Sequence, residues 1–401
     1  MLYFQSGRPE DALPLFEAVY NADRTQSAYA TNLANCLKDM GMMERVEELS
    51  RAGYEKDQTQ WTLQLAYAES LLRNGKYHKA WPIYERGRFT RIQTQLMMNI
   101  SETVPEWKGQ RIDGPLLVLG EGGFGDRINY SRFLTWINDR GVQYSCLIDA
   151  GCTPGTTVLT DLFNRLPWVD RRLEAPPGEQ PKQVAFGHWI TTFSLMAAFD
   201  IGPEEIPPPA QWYADPERVA QLKSFRSPDS RPTVGLVWAA GEVFEMDRKV
   251  RSMSEWEASR LVTQTEDFVH WVNLQYNTKS PNMANPPLNV WEDTAAAIDI
   301  CDFVISVDTG PLHLAASLGK PVWLVLSGAS DWKWGITDPN PWYRDARVFR
   351  NGSERGYQNS LRALTAALLA GEADQYAVSN RADADTPRAA ATETAAVSGD
   401  D

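Results

Sequence analysis

Residues 298–327, IDICDFVISVDTGPLHLAASLGKPVWLVLS, decide the fold class. Residues 303–307 are a β-rich apolar run, Asp308-Thr309-Gly310 turn the chain, 311–318 are helical in character, and 321–326 are apolar again. The order is strand, tight turn, helix, strand. Two parallel strands joined by a helix bury both faces of their sheet, which explains continuous rather than alternating hydrophobicity. Ligands of such sheets sit beyond the carboxyl ends of the strands, where N–H groups at the next helix start can hold an anion. Asp308, Thr309 and Gly310 lie there. The same residues also fit a plain helix cap and turn, and His313 fits a packed, hydrogen-bonded side chain as well as a functional one.

At 401 residues the chain has material for two or three domains, and with 43% hydrophobic residues most of it should fold. A net charge of −13 gives no electrostatic footprint for nucleic acid or an anionic membrane surface. Cys36, Cys146, Cys152 and Cys301 are scattered, with no C-x-x-C pair, and read as reduced, buried residues of a cytoplasmic protein. No apolar run approaches the ~18 residues needed to span a bilayer, and no signal peptide is visible. Residues 1–6, ending in LYFQS, look like the remnant of a protease-cleavable tag and are set outside the fold.

The amino-terminal third repeats. GRPEDA, GMMERV and GKYHKA begin at Gly7, Gly41 and Gly75, a spacing of 34 twice over. Tyr20 with Tyr54, Ala34 with Ala68, and Phe16 with Tyr84 keep the register. Small residues let paired helices approach, and aromatics fill the gaps between pairs. Over residues 7–90 the chain resembles the tetratricopeptide repeats, whose period this is. That resemblance implies recruitment of a peptide or protein acceptor on a concave face; a helical prop for the body, or a contact between copies of the chain, is the alternative.

Residues 114–120 form a buried strand, 121–126 a glycine-rich turn, and 128–138 a helix. Gly120, Gly122 and Gly125 spell G-x-G-x-x-G, and Asp149 closes the next strand, 144–148. On spacing alone this is a dinucleotide fingerprint, pointing to a nicotinamide dehydrogenase. Charge argues against it, because Glu121 and Asp126 place negative charge where a pyrophosphate would bind. A carboxylate held at a helix start instead suits proton abstraction from a hydroxyl, which makes Asp126 a candidate general base. An aspartate capping a glycine turn is the plainer reading.

Proline is dense from 201 to 216, and 206–231 is expected to be an interdomain linker. Residues 232–238 restart a buried strand, a polar loop with Arg248, Lys249 and Arg251 follows, 268–275 is another strand, and 360–369 is a closing helix. From Gly371 onward Ala, Thr, Asp and Ser dominate, so 371–401 should be disordered.

The GEGGFGDRINYSRF loop at 120–133, VGLVWAAG at 234–241 with Arg251-Ser252, VNLQ at 272–275, VISVDTGPLHLAASLGKPVWLVL at 304–326, DWKW at 331–334 and PWYRDARVFR at 341–350 together resemble glycosyltransferases of the GT-B fold. The specific likeness is to the heptosyltransferase-like (glycosyltransferase family 9-like) group often fused to tetratricopeptide repeats, and it spans about residues 80–370. It implies an α/β fold of two Rossmann-like domains, acceptor-side 91–205 and nucleotide-sugar 232–370, preceded by the all-α repeats. By the same resemblance Asp126 is the catalytic base and Gly122, Gly123 and Gly125 form the acceptor-side loop. Asp308, Thr309, Gly310 and His313 would hold the donor, with Arg251 and Lys249 on the diphosphate, though which of Arg248, Lys249 and Arg251 meets phosphate stays open. Gln275 fits a nucleotide contact or no role at all, and Trp332 and Trp334 offer stacking faces, with packing as their alternative use. Departure of a nucleoside diphosphate develops negative charge that a guanidinium and a helix start can stabilise, so no metal is required. The D-x-D at Asp383 and Asp385 lies in the tail, away from any strand end.

The expected function is an inverting, metal-independent glycosyltransferase using a nucleotide-diphosphate-sugar co-substrate, no cofactor, and a hydroxyl acceptor. A surface or flagellar protein subunit and a lipid-linked saccharide are both acceptors consistent with the sequence, and nucleic acid is disfavoured by the acidity. The alternative is a non-catalytic tetratricopeptide scaffold with a degenerate transferase body.

Overall fold

The computed structural model describes residues 2–5, 8–89, 100, 104–149, 159–166, 186–241, 250–336, 338–352 and 356–377. Gly7, Cys152, Arg248, Lys249, Asp383, Asp385 and the rest of the tail beyond 377 lie outside them.

Five consecutive helices open the chain, Pro9–Ala22, Ser27–Asp39, Met43–Lys56, Trp61–Arg73 and Tyr77–Phe89, each packed on the next. The 34-residue glycine spacing has a backbone cause. Gly41 and Gly75 take φ of 73° and 72° just past two helix ends, where a side chain would be strained. Their N–H groups donate to Lys38 O and Leu72 O, and the next N–H groups, of Met42 and Lys76, reach back to Leu37 O and Leu71 O at 2.9 and 2.8 Å. This is Schellman closure, so the glycines mark where alternate helices stop. Ala34, Ala68, Phe16 and Tyr84 are all buried between helices. The first residues, expected to lie outside the fold, form the short helix Leu2–Gln5, whose Phe4 meets Phe16 edge-on at 6.0 Å.

Two parallel sheets follow. β1 (Leu116–Leu119), β2 (Tyr144–Leu147) and β3 (His188–Thr191) lie in the order β2-β1-β3, and every pairing is parallel. β4 (Thr233–Val237), β5 (His270–Asn273), β6 (Phe303–Ser306), β7 (Val322–Leu326) and β8 (Arg347–Arg350) lie in the order β5-β4-β6-β7-β8, also parallel throughout. Alternate residues serve opposite faces: Phe303, Ile305, Trp323 and Val325 join Leu261, Leu364 and Leu368 on one side, while Val304 and Leu324 join Ile298 and Leu314 on the other. Each buried aliphatic side chain contributes about 1.5–3 kcal/mol, which favours apolar residues at every position of such strands.

The proline-rich stretch expected as an interdomain linker is packed down: Trp212 is buried, its backbone N–H donates to Ser317 O (2.8 Å) and its ring N–H to Ser131 Oγ (3.0 Å). Helix Pro216–Leu222, capped by Asp215, packs on helix Trp291–Asp299. Proline forbids regular hydrogen bonding but not packing. The helix expected over 128–138 is two helices, Phe124–Tyr130 and Arg132–Asn138, parted at Ser131, whose hydroxyl donates to Ile128 O at 2.6 Å. The tail does not lose its anchors at 371, because the Tyr376 ring lies 5.0 Å from that of Phe303 and its hydroxyl accepts from Trp323 Nε1 at 3.2 Å.

The repeats and the lobes form one packed body. Trp81 Nε1 donates to Ile201 O (2.8 Å), Trp342 Nε1 donates to Tyr77 Oη (3.0 Å), and Arg73 donates to Ser330 O (3.1 Å). A single apolar cluster runs from Leu65 and Tyr84 through Leu116 to Leu312. Among the described residues no helix is long and apolar enough to cross a membrane.

Candidate active site

Two strand-turn-helix units face each other, one from each sheet. In the first, β1 leads into Gly120, where a Cβ would come within 1.9 Å of Ile148 O, and Gly122, which takes φ +78°. The chain then enters helix Phe124–Tyr130. Asp126 curls back on its own turn, Oδ2 accepting from Gly123 N–H at 3.1 Å, and its side chain stays 31% exposed. Beside it Arg127 and Asp149 form a 3.0 Å ion pair that is almost wholly buried. Arg127 also donates to Gly122 O (2.9 Å), while Asp149 accepts from Leu159 N–H (3.0 Å) and Thr160 Oγ1 (2.6 Å). The acid that completes the dinucleotide spacing is therefore spent on shaping the glycine turn and is not open to a ribose, which removes the structural basis of the dehydrogenase reading.

In the second unit β6 leads to Asp308, whose side chain is 7% exposed, then to Thr309 in extended conformation and helix Gly310–Ser317. Arg251 Nη1 lies 3.4 Å from Asp308 O and 4.0 Å from its Oδ2. Burial pushes the Asp308 carboxyl above its ordinary pKa, against the pull of Lys333 and Arg251. His313, expected at the donor, is buried, with its ring stacked on that of Trp334 at 5.9 Å. Burial, reinforced by Lys333 and Arg132, holds it well below the usual imidazole value, so the ring is neutral. Its tautomer follows from its neighbours. Arg132 Nη2 donates to Asn129 Oδ1 (2.8 Å) and so fixes that amide. The Tyr343 hydroxyl donates to the same oxygen (2.7 Å) and accordingly accepts from His313 Nδ1–H at 2.6 Å. The lone pair on Nε2 is left toward Asp308 Oδ1, 3.7 Å away. Burial pushes the Tyr343 hydroxyl up to about 12, so it keeps its proton throughout the physiological range.

Other expected donor contacts are engaged elsewhere. Gln275 Oε1 accepts from the N–H groups of Trp238 (3.2 Å) and Ala239 (2.9 Å), and its Nε2 donates to Ala239 O (3.2 Å). It ties down the loop after β4. Trp332 and Trp334 are buried and do not offer stacking faces. Trp332 meets Tyr77, Trp81 and Tyr84 of the repeats edge-on, and Trp334 packs against His313 and Tyr343. Trp332 thus closes the interface with the repeats, whereas Trp334 packs within its own lobe.

The lobes touch where Gly125 faces Gly310. A Cβ on Gly125 would sit 2.9 Å from His313 Cδ2 and 3.1 Å from Gly310 Cα. Phe124 packs on Trp291 beside this seam, with ring centres 5.3 Å apart. Lys333, which the sequence reading passed over, reaches the same place: its Nζ lies 3.0 Å from Asp331 Oδ1 and 3.6 Å from Asp126 Oδ1. Burial opposes its charge, but Asp331, Asp126 and Asp308 outweigh burial and hold the ammonium above its ordinary pKa. The lysine within the quoted D-W-K-W was the available signal. The site thus offers a half-open carboxylate on one lobe, a buried carboxylate with a guanidinium on the other, and a buried ammonium linked to the first.

Comparison with known proteins gives this geometry a context. Residues 285–364 match Glycosyltransferase family 9 (heptosyltransferase). Protein FlbA of Caulobacter vibrioides is 26% identical over 318 residues, covering 72% of this chain and 51% of FlbA, so the chain spans about half the length of that curated relative. Among solved structures, E. coli ADP-heptose LPS heptosyltransferase II aligns with a TM-score of 0.42 and 15% identity over 65% of this chain and 100% of that one. A mutant O-GlcNAc transferase of Thermobaculum terrenum aligns with a TM-score of 0.33 and 13% identity over 94% of this chain and 85% of its own. The matched segment, residues 285–364, includes Asp308, His313 and Lys333.

Proposed function

We propose that the chain is an inverting, metal-independent glycosyltransferase that moves a sugar from a nucleoside-diphosphate donor to a hydroxyl acceptor. The observation that carries the reading is the pairing across the lobe seam of a half-open carboxylate, Asp126, with the Asp308–Arg251 pair at the start of helix Gly310–Ser317. In this mechanism Asp126 accepts the acceptor's hydroxyl proton as that oxygen bonds to the anomeric carbon. The bond from that carbon to the phosphate oxygen breaks, and the electron pair leaves with the diphosphate. Arg251 and the N–H groups at the helix start face the developing charge. Gly122, Gly123 and Gly125 keep the acceptor side free of side chains, and Gln275 acts indirectly by fixing the loop after β4. The helical array of 34-residue period is tetratricopeptide-like and positions the acceptor.

A non-catalytic scaffold has one observation in its favour: His313, Gln275, Trp332 and Trp334 are all engaged internally. A panel of ADP, GDP, UDP and their sugar conjugates, with NAD as control, decides between the two. The enzyme reading expects one nucleoside diphosphate to raise Tm and its sugar conjugate to be hydrolysed or transferred. A flat Tm and no turnover across the panel would leave the scaffold.

A further inference from the structure

The proposed reaction leaves Lys333 without a task, yet it is a buried and closely held cation at the seam. Its side chain is 7% exposed, and its ammonium lies 3.0 Å from Asp331, 3.6 Å from Asp126, and 5.7 and 6.0 Å from the ring centres of Trp332 and Tyr130. The backbone is fixed as firmly. Asp331 Oδ1 accepts the Lys333 N–H (3.0 Å), and Lys333 O accepts from Asn340 Nδ2 (2.9 Å). On one side Trp332 is inserted among Tyr77, Trp81 and Tyr84 of the repeats, and Arg73 of the repeats donates to both the carbonyl and the hydroxyl of Ser330. On the other side Trp334 lies against His313. A continuous line of contacts thus runs from the helical repeats through residues 330–334 to Asp126.

We propose that Lys333 is a positioning residue for Asp126, and that the repeats serve the reaction by holding the turn that presents it. This rests on the glycosyltransferase reading of Asp126. The carboxylate is gripped at both ends, Oδ2 by Gly123 N–H at 3.1 Å and Oδ1 by the ammonium, which fixes its rotation. At 3.6 Å the second grip is an ion pair rather than a hydrogen bond, so lone pairs on Oδ1 remain available for an incoming proton. Orientation of this kind matters because a displacement of about 1 Å at a reacting group costs on the order of 10²-fold in rate. Burying a lysine beside three carboxylates is costly for a mere surface contact but suits a fixed strut between lobes.

The test uses the full chain and its Lys333→Met, Lys333→Arg, Asp126→Asn, Lys333→Met/Asp126→Asn and Arg73→Ala variants. The donor is whichever nucleotide sugar the panel above identifies. Lys333→Met is expected to lower kcat by about 10- to 100-fold while the KM for donor stays within about twofold, and Lys333→Arg restores most of the loss. Arg73→Ala, distant from the chemistry, lowers kcat several-fold in the same pattern. Without any substrate, the Tm losses of the two single variants exceed that of the double variant by about 2 °C or more, since each removes the same contact. Additive Tm losses overturn the proposal, as does a Lys333→Met defect confined to KM or one that arginine fails to rescue. Absence of turnover in the parent chain would instead sink the enzymatic reading, and the thermal cycle would still report whether the two side chains are coupled.

Discussion

The glycine turn after β1 and the aspartate turn after β6 follow the same path, strand into turn into helix, but they hold their carboxylates in opposite ways. Asp126 is the third residue of its helix, bends back to Gly123 and stays 31% exposed; Asp308 precedes its helix and is 7% exposed beside His313 and Arg251. The difference comes from position. A carboxylate inside the first turn can reach its own helix start from the solvent side, whereas one at the strand end is enclosed by the sheet and its neighbours. One arrangement leaves a carboxylate that solvent can reach. The other leaves a group whose charge is set by burial against the pull of Lys333 and Arg251.

The sharpest test of that contrast is Asp126→Asn, which should lower transfer by roughly 10²–10⁴-fold while Tm falls by only about 2 °C through the lost contact with Lys333, whereas Asp308→Asn should act chiefly through donor KM. If both changes gave the same kinetic pattern, the contrast would not survive. Next in size, Arg127→Met strands the buried Asp149 charge and should cost about 3–5 kcal/mol in urea unfolding. The smallest effect separates two glycines of one turn. Gly125→Ala drives a methyl group into His313 and Gly310 and should cost about 1–3 kcal/mol, measured by the same unfolding curves. A methyl group at Gly123 meets only Asp126 Oδ2 at 3.7 Å, so Gly123→Ala should be milder.

Much of the framework was readable because burial or backbone geometry dictated residue type. Strands covered on both faces must be apolar throughout, and 303–307 and 321–326 became Phe303–Ser306 and Val322–Leu326. Left-handed helix ends demand glycine, and Gly41 and Gly75 show the period through that demand. Side chains that can serve either a ligand or the interior were harder. Trp332 and Trp334 look alike as stacking faces or as core, and only their packing partners settle the matter: the repeats' aromatic residues for Trp332, His313 and Tyr343 for Trp334. Asp149 matched a ribose-binding spacing, but Arg127 claims it. Lys333 takes its meaning from Asp126, and no local pattern announces a partner 207 positions away, by the subtraction 333 − 126.

Where Gly125 meets Gly310 the two halves of the body come backbone to backbone, with the His313 and Trp291 side chains closing the joint. The glycines themselves have no rotamers to rearrange, so the joint yields less readily in small increments than a seam of leucines would. Any opening there has to be a movement of whole backbone segments, and the gap between the opposing acids is consequently a property of chain path, inherited intact by every variant that keeps both positions bare.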